Sequence, residues 1–153
     1  MLKGPFLSKD FIGAIDSYED SKVVLLGLPY DCTCSNRAGT RFGPQAARLE
    51  SIGIEVYSAY FDLEMEDIPF YDAGDLEYPF GNAKKALDIT KENVDIIYKD
   101  NKKLLGVGGE HLITLASVQS VVEKYDNIAV IQFDAHTDLR EQYLGEELTH
   151  SGV

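Results

Sequence analysis

Histidine is scarce in this chain, three residues in 153, and each one stands beside a carboxylate or a hydroxyl residue. Gly108-Gly109-Glu110-His111 holds the first, Asp134-Ala135-His136-Thr137-Asp138 the second, and Thr149-His150-Ser151 the third. Imidazole nitrogen with carboxylate oxygen and no thiolate is a donor set for manganese, zinc or iron, and the share of carboxylates leans towards manganese. Spacing matters as much as type. Asp134, His136 and Asp138 are two residues apart, so on backbone that stays extended their side chains all point to one side. His111 reaches the same point if the two segments leave neighbouring strand ends, with Gly108 and Gly109 leaving room for close backbone approach. Two divalent ions repel unless an anion lies between them, and Asp134 is the expected bridge. Glu110 falls to an outer position.

Such segments need a scaffold. Val23-Val24-Leu25-Leu26-Gly27-Leu28 is a continuous apolar run stopped by Pro29, as a strand buried on both faces requires. Pro44 sits at a first helical position, and Ala46, Ala47 and Leu49 carry a short helix that ends by Gly53. From there to Pro79 the sequence is mixed and acidic and yields no element. Asn82 is the N-cap expected for a helix in which Ala83, Ala86, Leu87, Val94, Ile97 and Tyr98 recur at helical spacing. Lys103 to Val107 reads as a strand, Leu115 to Tyr125 as a helix with Val118, Val121 and Val122 inward, and Ile128 to Phe133 as another strand. This alternation predicts an α/β fold, an open, mostly parallel sheet with helices on both faces. Ligands gather beyond the carboxyl ends of strands in such sheets, which is where the first two histidine segments fall.

Composition narrows the partners. Fourteen Lys and Arg against 26 Asp and Glu leave a formal charge of −12, a field that repels phosphate backbones and attracts cations. No nucleic-acid partner is expected, and a metal ion or a small cationic substrate is. No apolar run approaches the roughly 20 residues that cross a bilayer. Met1 to Pro5 open no signal-peptide core, so the expected location is the cytoplasm, with no membrane partner. In that reducing compartment Cys32 and Cys34 are expected as free thiols. Arg37, Arg41 and Arg48 are expected to brace loops through ion pairs. Two competing motifs fail on their details. Gly106-Val107-Gly108-Gly109 follows a strand, but position 111 is His where the dinucleotide fingerprint has its third Gly. A triad of His111, Asp134 and Ser151 lacks the Gly-x-Ser-x-Gly elbow that presents a nucleophile.

The first two histidine segments resemble the metal motifs of the ureohydrolases, the family of arginases and agmatinases. Asp134-Ala135-His136-Thr137-Asp138 is similar to the family's second metal motif, and Gly108-Gly109-Glu110-His111 to its first, which more often reads Gly-Gly-Asp-His. Gly27-Leu28-Pro29-Tyr30-Asp31 and the run from Arg37 to Arg48 are similar to the agmatinase pattern rather than the arginase one. The resemblance covers nearly the whole chain. It implies a three-layer α/β/α fold, incomplete at one edge, and two manganese ions, with His111 and Asp138 on one, His136 on the other and Asp134 bridging. It places His150 as the catalytic histidine that shuttles a proton to the leaving nitrogen. The implied reaction is hydrolysis of a small cationic guanidino compound, agmatine to putrescine and urea, through attack of a metal-bridging hydroxide on the guanidinium carbon. A homo-oligomer, trimer or hexamer, is implied as well. The family's third metal motif is an Asp-x-Asp pair on a later strand, and the sequence reaches Val153 before any such pair. Residues 1–153 are therefore expected to be the N-terminal portion of a single ureohydrolase-like domain, inactive alone. The alternative is a noncatalytic metal-binding or assembly module that kept only the first two motifs.

Overall fold

The computed structural model describes residues 10–153. Among them lie the strands β1 (Val23–Leu28), β2 (Tyr57–Ser58), β3 (Leu63–Glu64), β4 (Phe70–Asp75) and β5 (Lys103–Gly108), and the helices α1 (Gly43–Ser51), α2 (Ala83–Lys99) and α3 (Ile113–Lys124). The main sheet is parallel, in the order β4-β1-β5, and β2 and β3 form a separate two-stranded hairpin.

Alternation along β1 sorts its side chains between two layers. Val24, Leu26 and Leu28 enter a core with Ala86, Leu87 and Ile97 of α2 and with Leu112, Ile113 and Ala116 at α3. Gly27 faces the other way, where an added Cβ would stand 3.0 Å from the Cβ of Pro44 and strike the Asp75 carboxylate. Helices thus cover both faces of the sheet. Pro44 occupies the first turn of α1, and the Asn82 side chain caps α2 by accepting the Lys85 N–H.

Three expectations need correction. The acidic stretch before Pro79 contains a full strand, β4, whose Asp72 is buried because Arg48 neutralises it. The Arg48 Nε and Nη2 donate to Asp72 at 2.7 and 2.8 Å, a second arm pairs with Asp75, and the Phe11 N–H adds a bond of 2.8 Å. A buried charge persists only when paired and hydrogen-bonded in this way. Ile128 to Phe133 form no strand, and Ile131 and Phe133 are 81% and 98% exposed. Nothing among the described residues covers that segment, and ordering a residue costs about 1–2 kcal/mol, more than a typical net backbone hydrogen bond returns without burial. In α3 the buried stripe is Ile113, Ala116 and Ser120, and Val122 is exposed. Small residues let α3 pack closely on α2, and the Ser120 hydroxyl is satisfied by donating to the Ala116 carbonyl.

Strand order also creates a crevice. The chain leaves β1 through α1 to β4 on one side, then returns through α2 to β5 on the other. The helices that follow β1 and β5 lie on opposite faces of the sheet, α1 on the Gly27 side and α3 on the Val24 side, the topological switch at which open α/β sheets bind ligands.

Candidate metal centre

The chain beyond β5 keeps running alongside the chain beyond β1. The Gly109 N–H donates to the Leu28 carbonyl at 2.9 Å and the Glu110 N–H to the Tyr30 carbonyl at 2.7 Å. A Cβ at position 109 would lie 2.1 Å from the Tyr30 carbonyl oxygen, whereas one at 108 would meet nothing within 4 Å. Only Gly109 is thus demanded by close approach. This register delivers His111 to the switch point, just before α3.

The Asp134 to Asp138 segment meets it by a different route from the extended one expected. The His136 N–H folds back on the Asp134 Oδ1 at 2.9 Å, and Asp138 adopts a φ of 49°. The resulting turn returns Asp138 to the side of Asp134 and swings His136 outwards, leaving its side chain 78% exposed. The His111 Nδ1 lies 2.7 Å from the Asp138 Oδ2 and 3.9 Å from the Asp134 Oδ2. His111, Asp134 and Asp138 each offer a ligand atom within 4.8 Å of the others. His136 stands outside that group, yet its Nδ1 is 3.5 Å from the Asp134 Oδ1. The two oxygens of Asp134 therefore face one imidazole each. The His136 N–H holds the Asp134 carboxyl below the usual carboxylate range, aided by Gln132 and by the two imidazoles. One imidazole and two carboxylates without thiolate make a donor set that fits manganese.

His150 comes from a third direction. Its Nδ1 is 2.6 Å from the Thr33 carbonyl oxygen, its N–H donates to the Thr33 hydroxyl at 2.9 Å, and its ring meets Tyr143 edge-on with centroids 5.7 Å apart. Backbone bonds from Arg140 to Ser151 and from Val153 to Asp138 tie this segment to the ligand loop. Asp134, His136, Asp138 and His150 line one cavity of about 680 Å³. Glu110 is buried, and its carboxylate accepts the Thr33 N–H at 2.8 Å and the Thr33 hydroxyl. Thr33 belongs to no motif, and no signal in the sequence distinguishes it from its neighbours in the loop after β1.

A family model for the arginase family matches residues 21–153. The chain belongs to the arginase family. Within it, an agmatinase from Bacillus cereus is 48% identical over 146 residues, covering 95% of this chain and 50% of the relative. The solved agmatine ureohydrolase of Thermoplasma volcanium superposes with a TM-score of 0.88 at 28% identity, over 96% of this chain and 49% of that one. A Trypanosoma cruzi formiminoglutamase variant solved with Mn2+ gives a TM-score of 0.78 at 25% identity, over 90% and 47% of the two chains. This chain thus spans about half the length of the arginase-family relatives it matches. Among the described residues, no helix is long and apolar enough to cross a membrane.

Proposed function

We propose that residues 1–153 are the N-terminal portion of a longer manganese-dependent ureohydrolase that converts agmatine to putrescine and urea. The observation that carries this reading is the convergence of His111, Asp134 and Asp138 at the β1/β5 switch point, in a chain nearly half identical to an agmatinase. In this reading His111 and Asp138 hold one ion, His136 the other, and Asp134 both. The opposed oxygens of Asp134, facing His111 and His136, support the bridging role.

A guanidinium carbon is a poor electrophile because its positive charge is delocalised, and neutral water is a poor nucleophile. Bound manganese would supply the charge that brings the pKa of water down towards neutrality. The protein's own task is then proton management. As the C–N bond breaks, the departing nitrogen must gain a proton; in this reading His150, in the cavity shared with Asp134 and Asp138, takes up the proton that the attacking water loses and passes it on. The chain's excess of carboxylates favours the approach of a cationic substrate at low salt.

The test is urea release by the full-length protein supplied with manganese and agmatine. Urea and putrescine in equal amounts are the expected products. Manganese binding without urea release would refute the hydrolase and favour the noncatalytic metal-binding module.

A further inference from the structure

Four residues from three separate segments form one hydrogen-bonded chain beside the candidate metal centre, and its geometry assigns a proton. A backbone carbonyl can only accept. The His150 Nδ1, 2.6 Å from the Thr33 carbonyl oxygen, must therefore carry a hydrogen, and in a neutral ring the lone pair lies on Nε2. Thr33 is itself held from the other side. Its N–H donates to the Glu110 Oε2 at 2.8 Å, its hydroxyl donates to the Glu110 Oε1, and the Cys34 thiol approaches the same carboxylate at 3.5 Å. With its hydrogen committed to Glu110, the Thr33 hydroxyl turns a lone pair to the His150 N–H at 2.9 Å. The bonds all run one way, from His150 to Thr33 to Glu110.

Glu110 is 6% exposed, and its own N–H is fixed on the Tyr30 carbonyl, so the end of the chain is anchored to the sheet. It also immediately precedes His111. One dipeptide at the end of β5 thereby sets both a candidate metal ligand and, through Thr33, the candidate proton donor.

We propose that Glu110 and Thr33 are positioning residues that lock His150 in its Nδ1–H tautomer and make Nε2 the only ring nitrogen that exchanges protons in the cavity. The proposal rests on the reading of His150 as proton donor, but its structural half does not require manganese, substrate or turnover. Asp in place of Glu110 would be shorter by one methylene, so the carboxylate's reach to Thr33 matches the longer side chain present here.

The decisive measurement is the ring nitrogen spectrum of His150 in the 15N-labelled, metal-free full-length protein. The wild-type chain is expected to show protonated Nδ1 and unprotonated Nε2. Glu110→Ala and Thr33→Val should shift His150 towards the Nε2–H tautomer that dominates in an unconstrained histidine, and Thr33→Ser, which restores the hydroxyl, should return it to the wild-type pattern. In the full-length protein, Thr33→Val should lower kcat by about tenfold, a part of the roughly 10²–10⁴-fold that general acid–base catalysis contributes, with KM and manganese content unchanged. The Thr33→Val and Thr33→Ser pair decides the matter if Glu110→Ala does not fold. A wild-type His150 protonated on Nε2, or a tautomer that stays put in both disrupting variants, overturns the positioning role whatever the urea assay gives. A tautomer that moves as expected in a protein that releases no urea upholds the positioning role and refutes the hydrolase reading instead.

Discussion

Among single residues, Asp134 and His136 carry the sharpest question about the candidate centre. Asp134 faces His111 with one oxygen and His136 with the other, while the His136 ring stands largely in solvent. A ligand set built only from His111, Asp134 and Asp138 holds one ion, and the outer position of His136 suits a second. Bound manganese should therefore respond differently to the two histidines. In the 153-residue chain, His111→Ala is expected to abolish manganese binding, because it removes the only imidazole of the three-residue group. In the full-length protein, His136→Ala is expected to lower bound manganese by about half and to abolish urea release, since a two-metal mechanism needs both ions. Elemental analysis after dialysis measures the first quantity and a urea assay the second. Unchanged metal content in the His136 variant would remove it from the ligand set.

At the scale of elements, the site depends on how tightly the chain after β5 lies against the chain after β1. Gly109→Ala would place a methyl group 2.1 Å from the Tyr30 carbonyl oxygen, while Gly108→Ala would meet open space. Overpacking of this kind costs about 1–3 kcal/mol. The Gly109 variant is expected to be less stable by that amount in urea denaturation and to bind manganese more weakly, and the Gly108 variant to be near wild type. Equal effects from both would show that the close approach is not what positions His111. The same two glycines illustrate what was legible in the sequence. The segment Gly108 to His111 announced a strand end with room for backbone contact, but which glycine made the contact depended on register with β1. Strand β4 escaped because Asp72 and Asp75 look like solvated charges, and only the Arg48 guanidinium, 24 residues away from Asp72 in sequence, makes their burial tolerable. Ile128 to Phe133 has the composition of a strand but no covering layer among the described residues, and composition alone cannot supply one. The convergence of His111 with Asp134 and Asp138 was legible from residue type and spacing. The turn that achieves it was not, since a left-handed Asp138 is a local backbone choice with no mark in the pattern.

For the molecule as a whole, the excess of carboxylates sets how stability depends on pH. A charge of −12 at neutral pH opposes compactness through self-repulsion, and acidification relieves that repulsion. Carboxylates engaged by specific partners act in the opposite sense. The Arg41 guanidinium, 2.5 Å from Asp31, holds the Asp31 carboxyl below the usual range, helped by the Gly39 and Arg41 N–H groups, and it outweighs the upward pull of burial. Burial likewise raises Asp95, but the hydrogen bond from Lys91 and its positive charge leave the net shift downward. A group whose pKa is lower folded than unfolded binds fewer protons in the folded state, so stability rises with pH across the interval between the two values. Its contribution is complete above the unfolded carboxylate value of about 4 and disappears as pH falls through the folded one. Asp31→Asn should therefore be less stable than wild type near pH 6, where only the wild type has the charged pair. As pH falls below the unfolded value of about 4 and on through the lower folded one, the wild type loses this contribution and the two proteins should converge. Urea midpoints measured from about pH 6 to about pH 3 give the comparison directly. A gap that keeps its full size across that range would mean that Asp31 acts through shape or hydrogen bonding alone, and that its pairing with Arg41 contributes nothing to the acid sensitivity of the fold.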